Sequence, residues 1–389
     1  MFEEDIFKLE GWIWKNGFSG YDPYDFRELL IHNKFLKSRI RDSILVWIDD
    51  LFPPLTRRLF NIEPKENAKA VGLLFTAYIN LYDVFQERTY LARAKECKEW
   101  LLDNLSDGYS GKGWGYPFDW QSKILIPKGT PSAVVTANIG GGFWREYEVT
   151  GEENSLKVCE DICRFFVDEL NIDRIGNNKI CFSYTPLDKF HVHNANLYVA
   201  EFLIKVGEEL GNNEFIDYGK EAADYSLSEQ NSDGSVYYWG NIDSHYKPEH
   251  MDHYHTGFEL RSLYSIAKIT DEKKYLSGFE RYYGFYKRNF FSKNGFIKHT
   301  PKSKYPIDIH SCAESILCNS YIKDRFNKDF VEKLIGRVNS IMLTTEGWYI
   351  YKVGRVMGFE IKSKIPYLRW GQSWMLRALS EYLLRINGK

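Results

Sequence analysis

Apolar residues recur along this chain at helical spacing, in paired runs separated by two kinds of break. From Glu66 to Glu87 the apolar positions are Val71, Leu74, Phe75, Tyr78, Leu81, Tyr82 and Phe85. After the break QERTYL a second run continues to about Leu105. The same short polar break returns as VTGEENSL, LGNNEFID, ITDEKKYL and FNKDFVEK, each opening into a second run. The first large apolar residue after each is Tyr90, Leu156, Phe215, Tyr275 and Phe330, at intervals of 66, 59, 60 and 55 residues. A period of that length marks stacked supersecondary units, here helical hairpins.

The other breaks are long, aromatic and polar. Each starts with a turn and a short strand-like run, then feeds a first helix beginning near Pro131, Asn194, Thr256, Ser311 or Gly371. In the first of them, Thr130 and Pro131 read as an N-cap and a first helical position. With the run from Glu66 there are six first helices. Five second helices and an N-terminal helix over about Phe35–Leu51, ended by Pro53 and Pro54, make six more. Six and six closes a ring: an all-α (α/α)6 toroid with long loops and short β-hairpins gathered on one face. A tetratricopeptide-type solenoid needs repeats of about 34 residues with short turns throughout. Residues 1–389 are expected to form one toroid domain. Residues 1–34, broken by Asp22-Pro23 and several glycines, read as turns that pack on the ring as an extension.

Composition narrows the classes. The chain of 389 residues is 44% hydrophobic and carries a formal charge of -2, so nucleic acid and acidic lipid have no general attraction to it. No apolar run approaches the ~20 residues of a membrane span, and the acidic start MFEEDIFKLE lacks the features of a secretion signal. Six scattered cysteines, with Cys159 and Cys163 on one helix face, read as reduced core residues of a cytoplasmic protein. Aromatics reach 16%. They fill wide helical cores, but Tyr and Trp also cover the C–H face of a sugar ring while keeping a polar atom free.

Candidate chemistry lies in the long loops and at the starts of the first helices. Asp119, between Phe118 and Trp120, is the leading proton carrier, because burial by those neighbours would raise its pKa. The acid–histidine sets Asp252, His253 and His255, and Asp308 and His310, are placed to join it around one pocket. Trp114, Tyr116, Trp120, Tyr254 and Trp370 read as a substrate platform, with His191, His193, Asn194 and Gln372 as polar contacts. Arg369 is suited either to a substrate carboxylate or to a nearby acid. The His-x-His pairs have a spacing that zinc or iron uses, yet no H-E-x-x-H or clustered cysteines accompany them, so no cofactor or metal is assigned. Gly140–Gly142 lies inside a helical pattern and is no phosphate loop, and no G-x-S-x-G occurs.

The segments GWGYPFDW, NSDGSVYYWG, DHYHTGF, DIHSCAES and RWGQSWML resemble those of six-hairpin glycosidase-like toroids, chiefly members encoded among surface-polysaccharide genes. DHYHTGFELRSL bears a weaker likeness to the helical domain of glucuronyl 5-epimerases. The resemblance runs from about Asn67 to Leu384 and implies a carbohydrate ligand, with uronic acid among the options. It implies acid–base chemistry on a sugar: glycoside hydrolysis, uronyl epimerisation or elimination. A non-catalytic glycan-binding or scaffold protein and a metal-dependent enzyme using the His-x-His loops are the alternatives.

Overall fold

The computed structural model describes residues 2–32 and 39–389. Six inner helices close a ring: α5 (Ala68–Phe85), α7 (Ala133–Thr150), α9 (His193–Leu210), α11 (His253–Thr270), α13 (Ile309–Tyr321) and α15 (Ser373–Ile386). Each packs on the next, and α15 returns to α5. Outside them lie α6 (Arg88–Asp103), α8 (Glu153–Glu169), α10 (Asn213–Ser228), α12 (Lys273–Asn289) and α14 (Lys328–Met342), each against its preceding inner helix. The fold is the (α/α)6 toroid. Burial explains the two layers. In α5 every residue from Ala68 to Leu81 is buried, as a helix covered on all sides requires. Outer helix α8 instead buries one stripe that includes Leu156, Cys159, Ile162, Cys163 and Phe166. All six cysteines are buried and unpaired.

The sixth outer helix is not the one the periodicity selects. That role falls to α1 (Glu3–Asn16), which packs on α15 and buries Ile6, Leu9 and Ile13. The segment read as turns therefore holds a helix, and a second, α2 (Asp25–His32), follows it. The amphipathic stripe of α1 was obscured by glycine and tryptophan at Gly11, Trp12 and Trp14. The expected helix near Phe35–Leu51 is present as α3 (Arg39–Leu51), and residues 35–38 lie outside the described residues. It runs into α4 (Pro53–Leu59) and packs on a strand at the loop face rather than in the outer ring.

The two faces of the ring differ as the breaks foretold. Inner helices α5, α7, α9 and α11 each end on a left-handed residue: Gln86 (φ 58°), Gly151 (φ 73°), Gly211 (φ 65°) and Asp271 (φ 53°). Such a cap reverses the chain at once, so two residues suffice to reach the outer helix. On the opposite face the long connections carry short hairpins, among them Trp120–Gln121 paired with Leu125–Ile126. The longest, Lys352–Val356 with Phe359–Ser363, also pairs with Ile307–Asp308. Inner helices begin on this face. Asn67, Ser132, Asp252 and Asp308 cap four of them with side-chain oxygens. The cap of α7 is Ser132, two residues beyond the expected Thr130, which leaves Pro131 outside the helix. No described helix is long and apolar enough to cross a membrane.

Candidate active site

On the loop face a cavity of about 110 Å³ lies at the ring axis. The second helical residue after each cap lines it: Lys69 of α5, Val134 of α7, Asn194 of α9, Tyr254 of α11 and His310 of α13. The sixth position is filled by a π-helical turn, Leu368–Gln372, which contributes Arg369 and Trp370. Loops add Tyr116, Phe118, Trp120, Tyr184 and Tyr238, the N-terminal segment adds Tyr24, and α11 adds His255 and Phe258. Tyr116 and Phe118 stack at 5.1 Å, and Tyr24 stacks on Phe118 at 5.4 Å. These rings form one aromatic wall. Burial pushes the Tyr116 hydroxyl up to about 12, so it stays a hydrogen-bond donor at neutral pH.

Two histidines meet in this cavity with different support. Asp252 caps α11 by accepting from the His255 backbone N–H at 3.0 Å, and its other oxygen binds His255 Nδ1 at 2.7 Å. Burial pushes the Asp252 carboxyl up, but the His255 imidazole and N–H outweigh it and hold the group at about 2. Asp252 is thus a fixed anion that orients the ring and leaves Nε2 free. His310 is the opposite case. Its ring is 2% exposed, neither nitrogen has a partner, and it lies parallel to Tyr254 at 4.6 Å and against Trp374 at 4.8 Å. Burial first, then the cations Lys69 and Arg369, hold it well below the usual histidine range. His310 is a neutral imidazole at physiological pH. Phe258 lies 5.9 Å from the His255 ring and 5.7 Å from the His310 ring.

Several expected site residues have their polar groups engaged by other partners or lie off the cavity. Asp119 accepts from the Lys128 backbone N–H at 2.7 Å and binds His32 at 2.7 Å, holding the loop to α2. The Lys128 N–H, against slight burial and with help from His32, lowers its pKa, the reverse of the expected rise. It does not line the cavity. His253 ties α11 to its neighbours through the Lys298 carbonyl and the Tyr286 hydroxyl, both at 2.9 Å. His191 is taken up by Tyr225 and Asp173, and His193 by Ser226 and Glu229. With those nitrogens occupied, His191, His193 and His253 have none free for a metal. Asp308 caps α13 and accepts from Trp370 Nε1 at 3.1 Å, so it positions that ring from behind. Trp114 is a core residue whose indole donates to the Leu101 carbonyl, and Gln372 exchanges two hydrogen bonds with the Tyr349 backbone. Arg369 faces the cavity, but Asp22 engages its guanidinium at two points, one of 2.7 Å.

Lys69, Tyr24, Tyr238, Val134 and Phe258 escaped the sequence reading. Lys69 had a readable cue: it is the lone charge in the apolar run AKAVGLLF, two residues after a cap. Tyr24 had none, because its segment reaches the site only through the tertiary fold. Among the described residues two groups of donors lie close enough to hold a cation, His250 with Asp252 and His255, and Glu28 with His32 and Asp119. The first would engage His255 directly. A larger cavity of about 600 Å³ occupies the other end of the ring. Its charged walls are paired among themselves, as in Lys205–Glu201, Arg377–Glu381 and Lys268–Asp324, and it holds none of the histidines.

No protein-family model matches the sequence, and no curated protein matches it. Solved structures do. Cellobiose 2-epimerase from Bacillus thermoamylovorans B4167 superposes with a TM-score of 0.62 at 14% identity, over 93% of this chain and 99% of that one. A D-mannose isomerase gives 0.59 at 12%, over 81% and 86%. An unsaturated glucuronyl hydrolase specific for heparin gives 0.60 at 14%, over 84% and 90%. At such low identity the shared property is the fold, and the chain has the six-hairpin (α/α)6 toroid that these proteins share.

Proposed function

We propose that this protein is a carbohydrate-active enzyme that moves a proton at a carbon beside the carbonyl of a sugar, as an epimerase or an aldose–ketose isomerase. One observation carries the reading. The cavity wall presents two imidazoles and several phenols, and among the described residues no carboxylate lines it. Glycoside hydrolysis ordinarily uses a pair of carboxyl groups across the scissile bond, and Asp252 and Asp308 are both turned to other partners. Imidazoles suit proton abstraction instead. One accepts the proton from carbon, the C–H electron pair becomes the double bond of an enediol, and the carbonyl oxygen takes a proton from a neighbouring donor. Return of a proton to the opposite face of the same carbon, with the first oxygen giving its proton back, inverts the centre; return to the adjacent carbon, with the other hydroxyl losing its proton to become the carbonyl, isomerises the sugar. His255 and His310 fill the acid and base roles, and the aromatic wall covers the sugar's apolar face.

The cavity supports one small ligand: at roughly 10–15 Å³ per water position, about 110 Å³ matches a single sugar unit rather than a chain. The names of two structural neighbours, cellobiose 2-epimerase and D-mannose isomerase, point to the same proton-transfer chemistry. The test is incubation with a panel of neutral and acidic reducing sugars in deuterium oxide, followed by proton NMR. Deuterium at the carbon beside the carbonyl, lost in His255→Asn but kept in Asp119→Asn, is expected. Release of new reducing ends from glycosides without such exchange would instead establish a hydrolase.

A further inference from the structure

Two neutral ion pairs bracket one unpaired cation in this ring. Near the mouth Asp22 neutralises Arg369. Deeper, Arg261 of α11 is held by Glu314 of α13 through contacts of 2.7 and 3.1 Å. Gly257 permits that approach, since a Cβ there would sit 2.4 Å from Glu314 Cγ. Between the pairs lies Lys69, 3% exposed, with its ammonium 5.4 Å from the Trp374 ring centroid and 5.8 Å from that of Phe258. It lines the cavity, and no side-chain or backbone acceptor among the described residues takes its Nζ. A buried ammonium without a counter-charge is costly, and two ring faces offset only part of that cost.

From this arrangement we infer that the ligand supplies the missing charge: the substrate is a sugar acid, and Lys69 holds its carboxylate. The inference rests on reading the cavity as a sugar site. One free cation among the described residues of the wall matches one carboxylate. A phosphate dianion would bring a second negative charge that no free cation among the described residues of the wall answers. The wall also explains why the anion must come from outside, since Arg369, Asp22, Arg261 and Glu314 cancel in pairs and His310 is neutral. Burial, then Arg369, holds the empty Lys69 at about 7. A bound carboxylate favours the charged form, so the amine that is neutral above that pH must take up a proton when the anion binds. Affinity therefore falls as pH rises past about 7.

Calorimetry of the whole protein tests this with glucuronate, glucose and glucose 6-phosphate, at pH 8 in two buffers of different ionisation enthalpy. Glucuronate is expected to bind at least ~10-fold more tightly than glucose, the scale of a charge-assisted hydrogen bond. Its binding is expected to take up protons. In Lys69→Met the preference for glucuronate over glucose should vanish. Equal affinity for glucuronate and glucose, no binding of either, or binding without proton uptake overturns the proposal. Tighter binding of glucose 6-phosphate than of glucuronate also overturns it, in favour of phosphate. Should Lys69→Met fail to fold, the wild-type comparison and the proton count decide alone. These are binding measurements, so a protein that prefers glucuronate but exchanges no sugar hydrogen refutes the proton-transfer reading and leaves this one intact.

Discussion

His310 carries two buried nitrogens with no partner, a state that costs stability. A core histidine placed for packing resembles His253, with both nitrogens bonded. The contrast gives a test that separates chemistry from architecture. Replacing an unsatisfied polar group by an apolar one of similar shape is close to neutral or stabilising. His310→Phe should therefore melt at or above the wild-type temperature, while sugar proton exchange falls by at least ~100-fold, the low end of general acid–base contributions. Loss of exchange together with a large drop in melting temperature would instead assign His310 to the packing of α13. Sequence named His310 because its type and place were suggestive. It could not tell it from His253, because partners arriving from Lys298 and Tyr286 are set by the packing of other elements. Asp119 lies off the cavity for the same kind of reason. Its aromatic neighbours in sequence, Phe118 and Trp120, turn toward the cavity while its own carboxylate turns to Lys128 and His32.

Among the elements, helix starts carry the site. Adjacent inner helices enter the loop face in one register, so the second residue after each cap faces the axis. That rule was available in the sequence once the caps were known, and it would have found Lys69; a displacement of two residues, as between Thr130 and Ser132, was enough to hide it. Histidines one place earlier serve a different end, fastening inner to outer helices. His253 is the clearest: burial, opposed by the Lys298 carbonyl, lowers its pKa to about 4. A histidine whose folded pKa is depressed binds its proton more readily in the unfolded chain. Its contribution is then full above the unfolded value near 6.5 and is lost as pH falls from there toward 4. The size is on the order of 3 kcal/mol from a shift of roughly 2.5 units. Melting temperature should thus decline over that window in wild type. In His253→Gln, which offers polar atoms but no titration, the decline should be shallower. An unchanged slope would remove His253 from the acid sensitivity of the fold.

For the whole molecule the question is what closes the ring and covers its mouth. Hairpin periodicity made the inner ring legible, because five repeats of a short polar break are a local property. The N-terminal segment follows no repeat. Its contribution depends on contacts more than 300 residues away in sequence, such as Asp22 with Arg369 at a separation of 347. We propose that the chain nonetheless folds as one unit, with α1 as a working outer helix and the segment after it as part of the cavity wall. Two observations support this: Ile6, Leu9 and Ile13 are buried between α1 and the ring, and Tyr24 lines the cavity. Asp22→Asn tests it. Removing one partner of a buried ion pair strands the other charge and costs about 3–5 kcal/mol, here at Arg369, which is 3% exposed. With an unfolding entropy of about 2.1 cal/mol/K per residue, a chain of 389 residues melting as one body should lose about 4–6 °C in a single transition. A separately folded N-terminal segment behaves otherwise. It would give two transitions, of which the substitution shifts the smaller and leaves the ring's own melting in place. The binding readout adds a second discrimination. Freed from Asp22, Arg369 becomes another cation at the mouth, so the variant should bind glucuronate more tightly at pH 8 even as it melts earlier. Tighter binding with one shifted transition is the outcome that joins segment, ring and site into one structure.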